Sequence, residues 1–102
     1  MYIYQAKVIK IIDSNTLIAD IDLGFYITIR KKIKFFGINA EIKAKKFIED
    51  VINKADGNII INTYLDKKDR YGQILALVYV DGICLNDELI NRGLAEEYNA
   101  KR

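Results

Sequence analysis

One stretch of this chain repeats with the period of a helix, and the stretches on both sides of it repeat with the period of a strand. Ala44, Phe47, Ile48, Val51, Ile52 and Ala55 fall at i, i+3, i+4, i+7, i+8 and i+11, an apolar stripe along one side of an amphipathic helix, and Gly57 supplies the stop. Upstream, Leu17, Ala19, Ile21 and Leu23 alternate with Thr16, Ile18, Asp20 and Asp22, which predicts a strand with one buried and one mostly polar face. Tyr4 to Ile12 is also rich in strand formers, and "DSNT" between the two supplies turn residues. After Gly24 the alternation resumes, with Ile27, Ile29, Ile33 and Phe35 on one face and Tyr26, Thr28, Arg30, Lys32 and Lys34 on the other. Lys31 interrupts the apolar row as a bulge or strand end would.

Downstream of the helix, residues 58–65 and 73–80 read as two more strands joined by the charged loop "DKKDRYG", and Asp81-Gly82 is a two-residue hairpin turn. A second short helix follows. Its predicted N-cap is Asn86, with Asp87 and Glu88 in the first turn, Leu85 and Ile90 as a staple and Gly93 at the end. Strands in the order β-β-β-α-β-β, with one amphipathic helix after the third, predict a mostly β, α+β fold: a five-stranded OB-type barrel capped by that helix.

At 102 residues and 51% hydrophobic, the chain has material for one core, so residues 1–102 are expected to form a single domain. No apolar run is long enough to cross a bilayer, and the first ten residues alternate rather than forming a signal-peptide core, so a soluble, unprocessed chain without a membrane partner is expected. Cys84, the single cysteine, lies in the apolar context "GICL", which predicts a buried, inert thiol and a reducing cytoplasm. The net charge of +2, from 16 basic and 14 acidic residues, does not by itself announce a nucleic-acid partner. Only local clustering can make that case.

Four blocks, "AKVIKIIDSNTLIADIDLGF", "IKFFGINA", "DRYGQILALVYVDG" and "LNDELINRGLAEEY", resemble in order and spacing the staphylococcal (thermonuclease-like) nuclease family, from about residue 5 to residue 98. The resemblance implies an OB-fold barrel and, for active members, calcium-dependent cleavage of DNA and RNA. Where active members have Asp-Gly-Asp-Thr, this chain reads Asp13-Ser14-Asn15-Thr16, which puts Asn15 at a metal-carboxylate position. The family's Arg-Leu-x-Gly-Ile-Asp-x-Pro-Glu corresponds to Lys34 through Ile42. There Lys34 replaces an arginine, Asn39 the second metal carboxylate, Glu41 the proline and Ile42 the general-base glutamate. In the third block Gln73 stands where a second phosphate-clamping arginine belongs. A one-residue deletion at the missing proline would instead slide Glu41 into the base position.

These replacements remove chemistry. Calcium needs several oxygen ligands, usually including carboxylates, and two neutral amides take both formal charges from its inner shell. Isoleucine cannot accept a proton from an attacking water. Gln73 lacks the charged fork that stabilises a pentavalent phosphorane, and Lys34 keeps charge without planar geometry. No catalytic residue, metal or cofactor is therefore expected, with calcium entering only if activity survives. Asp13, Asp20 and Asp22 could contribute to an altered metal site, but Asp20 and Asp22 read better as a solvated strand face.

Positive charge is what remains. Arg30, Lys32 and Lys34 line one strand face at period two, and Arg70 and Tyr71 match the family's basic-aromatic pair near the nucleotide phosphate, with Lys67 and Lys68 beside them. Basic side chains interleaved with an aromatic suit a single-stranded nucleic acid, though the same charges also suit an ordinary solvated surface. Lys43, Lys45, Lys46 and Lys54 are broken up by Glu49 and Asp50 and read as a solvated helix face. Ile42, opposite the helix's apolar stripe, is expected to be exposed and could belong to a protein contact. Three readings result: a nucleic-acid-binding module, a protein-interaction module, and a surviving calcium-dependent nuclease with Glu41 as base.

Overall fold

The computed structural model describes residues 2–64 and 73–98. Three long strands come first, β1 (Tyr2–Asp13), β2 (Thr16–Gly24) and β3 (Ile27–Phe35), paired as an antiparallel meander. A short strand β4 (Ile38–Ala40) leads to helix α1 (Ala44–Lys54), then β5 (Asn58–Thr63), β6 (Ile74–Val80), β7 (Ile83–Cys84), α2 (Leu85–Asn91) and β8 (Ala95–Glu97). The sheet runs β3-β2-β1-β5-β6-β7, and β6 also pairs in parallel with β3 through Ile33 with Ile74, Lys34 with Leu75 and Phe35 with Ala76. That last pairing closes β1, β2, β3, β5 and β6 into the predicted five-stranded ring.

The inward residues are those the alternation selects. Leu17, Ala19, Ile21, Ile33 and Phe35 are buried with Ile59, Ile61, Ala76 and Val78, and the α1 residues Ala44, Ile48 and Ile52 join the same core. Helix α1 stops because Ala55 and Asp56 turn the backbone back. The Asp56 N–H donates to the Asn53 carbonyl and the Gly57 N–H to the Ile52 carbonyl at 2.9 Å, the paired bonds of a Schellman motif. Gly93 closes α2 in the same way, with the Leu94 N–H bonded to the Leu89 carbonyl at 2.8 Å.

Several expectations are corrected. Lys31 marks no bulge, because the β2–β3 register is regular from Thr16 opposite Lys34 to Asp22 opposite Thr28. Tyr26 is not a strand residue: with Phe25 it forms the turn of the β2–β3 hairpin, and both have positive φ, 56° and 64°. The hairpin projects past the core, so Leu23 and Ile27 are exposed and Ile29 half-buried rather than all three being buried. The pairing of β4 with β8 and the two-residue β7 were not foreseen. Cys84 is half-buried, and burial pushes its thiol pKa up, which makes it a weak nucleophile.

Asn86 is not the N-cap of α2, a position Cys84 holds without a side-chain bond. Its amide is 1% exposed and does something else. The side-chain oxygen accepts the Val78 N–H at 2.9 Å, and the NH2 group donates to the carbonyls of Phe36 at 2.9 Å and Ala76 at 3.3 Å. One side chain thus ties β6 to the chain just beyond β3, beside the ring closure. Asn86→Ala leaves the Val78 N–H and Phe36 carbonyl without their partner, and the expected loss is about 3 kcal/mol in urea unfolding. A loss under about 0.5 kcal/mol would show that the amide is dispensable.

Candidate nucleic-acid interface and the neighbouring catalytic positions

The outward face of β1, β2 and β3 carries rows of residues in register. Lys34 lies opposite Thr16, which lies opposite Asp13; Lys32 lies opposite Ile18, which lies opposite Lys10; and Arg30 lies opposite Asp20, which lies opposite Lys7. In this arrangement Lys10 and Lys32 flank half-buried Ile18 on a three-stranded surface, with Lys34 in the next row. Lys10, Lys32 and Lys34 have no carboxylate partner among the described residues, whereas Lys7 lies 3.8 Å from Asp56.

Lys10 escaped the sequence reading for a geometric reason. Uninterrupted alternation from Val8, opposite Ala19, would aim Lys10 at Leu17 in the core. The β1–β2 register instead shifts between Val8 and Lys10, so Ile9 becomes the extra residue of a bulge and Lys10 turns outward to face Ile18. The exposure of both Ile9 and Lys10 is the mark of this shift.

Arg30 sits at the edge of this face in a different state from the lysines. Its guanidinium donates twice to Asp20, at 2.7 and 3.1 Å. That hydrogen bond holds the Asp20 carboxyl below its usual pKa and raises that of Arg30. A depressed carboxylate pKa means the pair is intact above the ordinary carboxylate range and lost as pH falls through the lowered value, so at neutral pH Arg30 is already committed. Asp22 has a turn role: its carboxylate accepts the Gly24 N–H at 2.8 Å. Arg70 and Tyr71, with Lys67 and Lys68, lie outside the described residues. The chain enters that segment from Tyr64, which stacks on Phe36 with ring centroids 4.4 Å apart.

The positions assigned to metal and base lie together at the end of this face. Asn15, in the β1–β2 turn, reaches β4: its side-chain oxygen accepts the Ala40 N–H at 2.7 Å and its NH2 group donates to the Ala40 carbonyl at 3.2 Å. Ser14 Oγ donates to the same carbonyl, and Asp13 accepts the Asn15 N–H. Asn39, next to Ala40, is exposed and pairs with Glu96 in the β4–β8 ladder. Glu41 anchors its backbone N–H on the Leu94 carbonyl, and its carboxylate lies 3.5 Å from Lys43. Ile42 is 91% exposed, as expected. Gln73 is half-buried at the start of β6, immediately before Ile74, the partner of Ile33.

This donor set does not suit calcium. The Asn15 oxygen is engaged by a backbone donor, its other amide atom is a donor, and no group of three or more His, Cys, Asp or Glu that could hold a metal occurs among the described residues.

A closed five-stranded ring with α1 packed into its core defines an OB-type barrel. A family model described as staphylococcal nuclease homologue matches residues 28–102, and the chain belongs to that family. The matched span begins in β3, so the "DSNT" turn lies before it. No curated protein matches the chain. Among the described residues no helix is long and apolar enough to cross a membrane.

Asn15→Asp would place a carboxylate oxygen against the Ala40 carbonyl. The expected result is a loss of about 1–2 kcal/mol in urea unfolding at neutral pH, unchanged by millimolar calcium. Calcium-dependent recovery of stability would instead mean that a metal site survives at this turn.

Proposed function

We propose that this chain is a nuclease homologue that binds nucleic acid, single strands in preference, without cleaving it. The observation that carries the reading is the trio Lys10, Lys32 and Lys34 on one sheet face, none with a carboxylate partner among the described residues, ending at a turn where Asn15 grips the Ala40 peptide. Three positive charges on β1 and β3, either side of β2, suit a phosphate backbone, and the half-buried Ile18 of β2 separates Lys10 from Lys32. Arg30 is a reserve contact, since phosphate must compete with Asp20 for it. By the family resemblance, Arg70 and Tyr71 would add further contacts to the nucleic acid. Hydrolysis is expected near background, because Ile42 offers no base and the amide of Asn15 is bonded to backbone.

A protein-interaction role is the second reading, and exposed Ile42 beside β4 favours it. A surviving nuclease with Glu41 as base is the third. It has less support, since that carboxylate faces Lys43 and no carboxylate cluster accompanies it among the described residues.

Anisotropy of an end-labelled single-stranded oligonucleotide, followed in time with calcium present, separates the three. A stable rise that weakens with salt is the expected result; decay below the free-probe value would mean cleavage, and a flat trace would favour protein partners. Lys10→Ala, Lys32→Ala and Lys34→Ala should each lower the slope of log affinity against log salt by about 0.7. Asp20→Asn, which releases Arg30, should tighten binding and steepen that slope.

A further inference from the structure

The tip of the β2–β3 hairpin is built against its own backbone preference. Gly24, Phe25 and Tyr26 have φ of 86°, 56° and 64° in succession, so two large aromatic residues occupy the left-handed region where Asn-Gly would sit without strain. Neither ring is repaid by packing: Phe25 is 93% exposed and Tyr26 fully so, with Leu23 and Ile27 partly exposed behind them. Strain combined with exposure of planar apolar groups has no explanation in stability.

We propose that Phe25 and Tyr26 form a base-stacking platform for the same single strand whose phosphates lie on Lys10, Lys32 and Lys34; the inference rests on the nucleic-acid-binding reading above. Tyr26 is four residues from Arg30, roughly 13 Å along the ribbon, so a strand running up β3 from Lys34 meets cations first and aromatic faces at the end. The collar of the tip argues against the rival occupants. Behind the rings and the Gly24–Ile27 pair, Asp22 faces Thr28 across the hairpin, and this carboxylate, with no cation in its pair, would lie against the anionic headgroups if the tip entered a membrane. A second copy of this chain would find two aromatic side chains of roughly 150–250 Å² each, with Leu23 and Ile27 partly exposed beside them, on a projecting tip that offers less than the roughly 800 Å² per partner of a stable interface. Bases need no cation beside them, because the phosphates are carried farther down the ribbon.

The chain contains no tryptophan, so Tyr26→Trp installs a single fluorescent reporter at the tip. It is titrated with an oligothymidylate of about 12 nucleotides, within the usual span of such barrels, while anisotropy of the labelled strand is read in parallel. Saturable quenching that follows the anisotropy curve is the expected result. The double variant Phe25→Asn with Tyr26→Gly relaxes the turn, so it should unfold no more easily than the parent, yet bind roughly 10- to 100-fold more weakly at an unchanged salt slope. If anisotropy rises while tryptophan emission stays constant, or the double variant binds as tightly as the parent, the platform is refuted and the lysine-face reading stands. If anisotropy stays flat at every salt concentration, both fall together. An emission change with phosphatidylcholine-phosphatidylserine vesicles and none with the oligonucleotide would also overturn the proposal.

Discussion

Everything else in this molecule depends on β3 meeting β6. Four of the five ring pairings are antiparallel neighbours that any curled sheet could make, but the parallel contact of Ile33, Lys34 and Phe35 with Ile74, Leu75 and Ala76 is what turns a sheet with two open edges into a barrel. It is short, and it is reinforced at its end. The Phe36 N–H donates to the Ala76 carbonyl at 2.9 Å, and the buried amide of Asn86 ties β6 to Phe36, just beyond the end of β3. Without the seal, Leu17, Ile33 and Val78 would lose the enclosure that makes them a core, and the lysine face would lose its curvature.

The same seal arranges the site. Because β3 ends where it pairs with β6, the chain must turn at Phe36 and Gly37 into β4, which brings Asn39, Ala40 and Glu41 beside the β1–β2 turn. Asn15 then meets the Ala40 peptide as a strand neighbour would, one acceptor to its N–H and one donor to its carbonyl. A carboxylate could satisfy only the first of these, so an asparagine here completes a backbone pairing that an aspartate would leave half made. The neutral amide at this corner of the fold is what holds the corner shut.

Much of this was legible in the chain. The stripe from Ala44 to Ala55, the inward set Leu17, Ala19 and Ile21, the Asp81-Gly82 turn and the exposure of Ile42 follow from periodicity and local turn chemistry, which tertiary packing here did not override. The misreadings share a cause, since each concerns a residue whose local signal has two outcomes that only distant partners decide. Asn86 has the chemistry of a cap and of a buried bridge alike; Val78 and Phe36 settle the matter. Tyr26 suits a strand by propensity, but the hairpin closes at that position and forces it into the turn. The three-residue β4 is too short to carry a pattern, and it exists because β8 lies beside it.

The bulge at Ile9 has a consequence of another kind. The outward aim of Lys10 is set by its register opposite Ile18, with Ile9 carried as the extra residue, and not by the identity of residue 9, so the surface charge of β1 is written in strand pairing. Any side chain at position 9 leaves that aim intact. Deleting the extra residue Ile9 would leave Val8, Lys10 and Ile11 opposite Ala19, Ile18 and Leu17 in plain alternation, so this face tolerates both substitution and loss at position 9, whereas flattening the bulge with Ile9 retained would turn a cation toward Leu17.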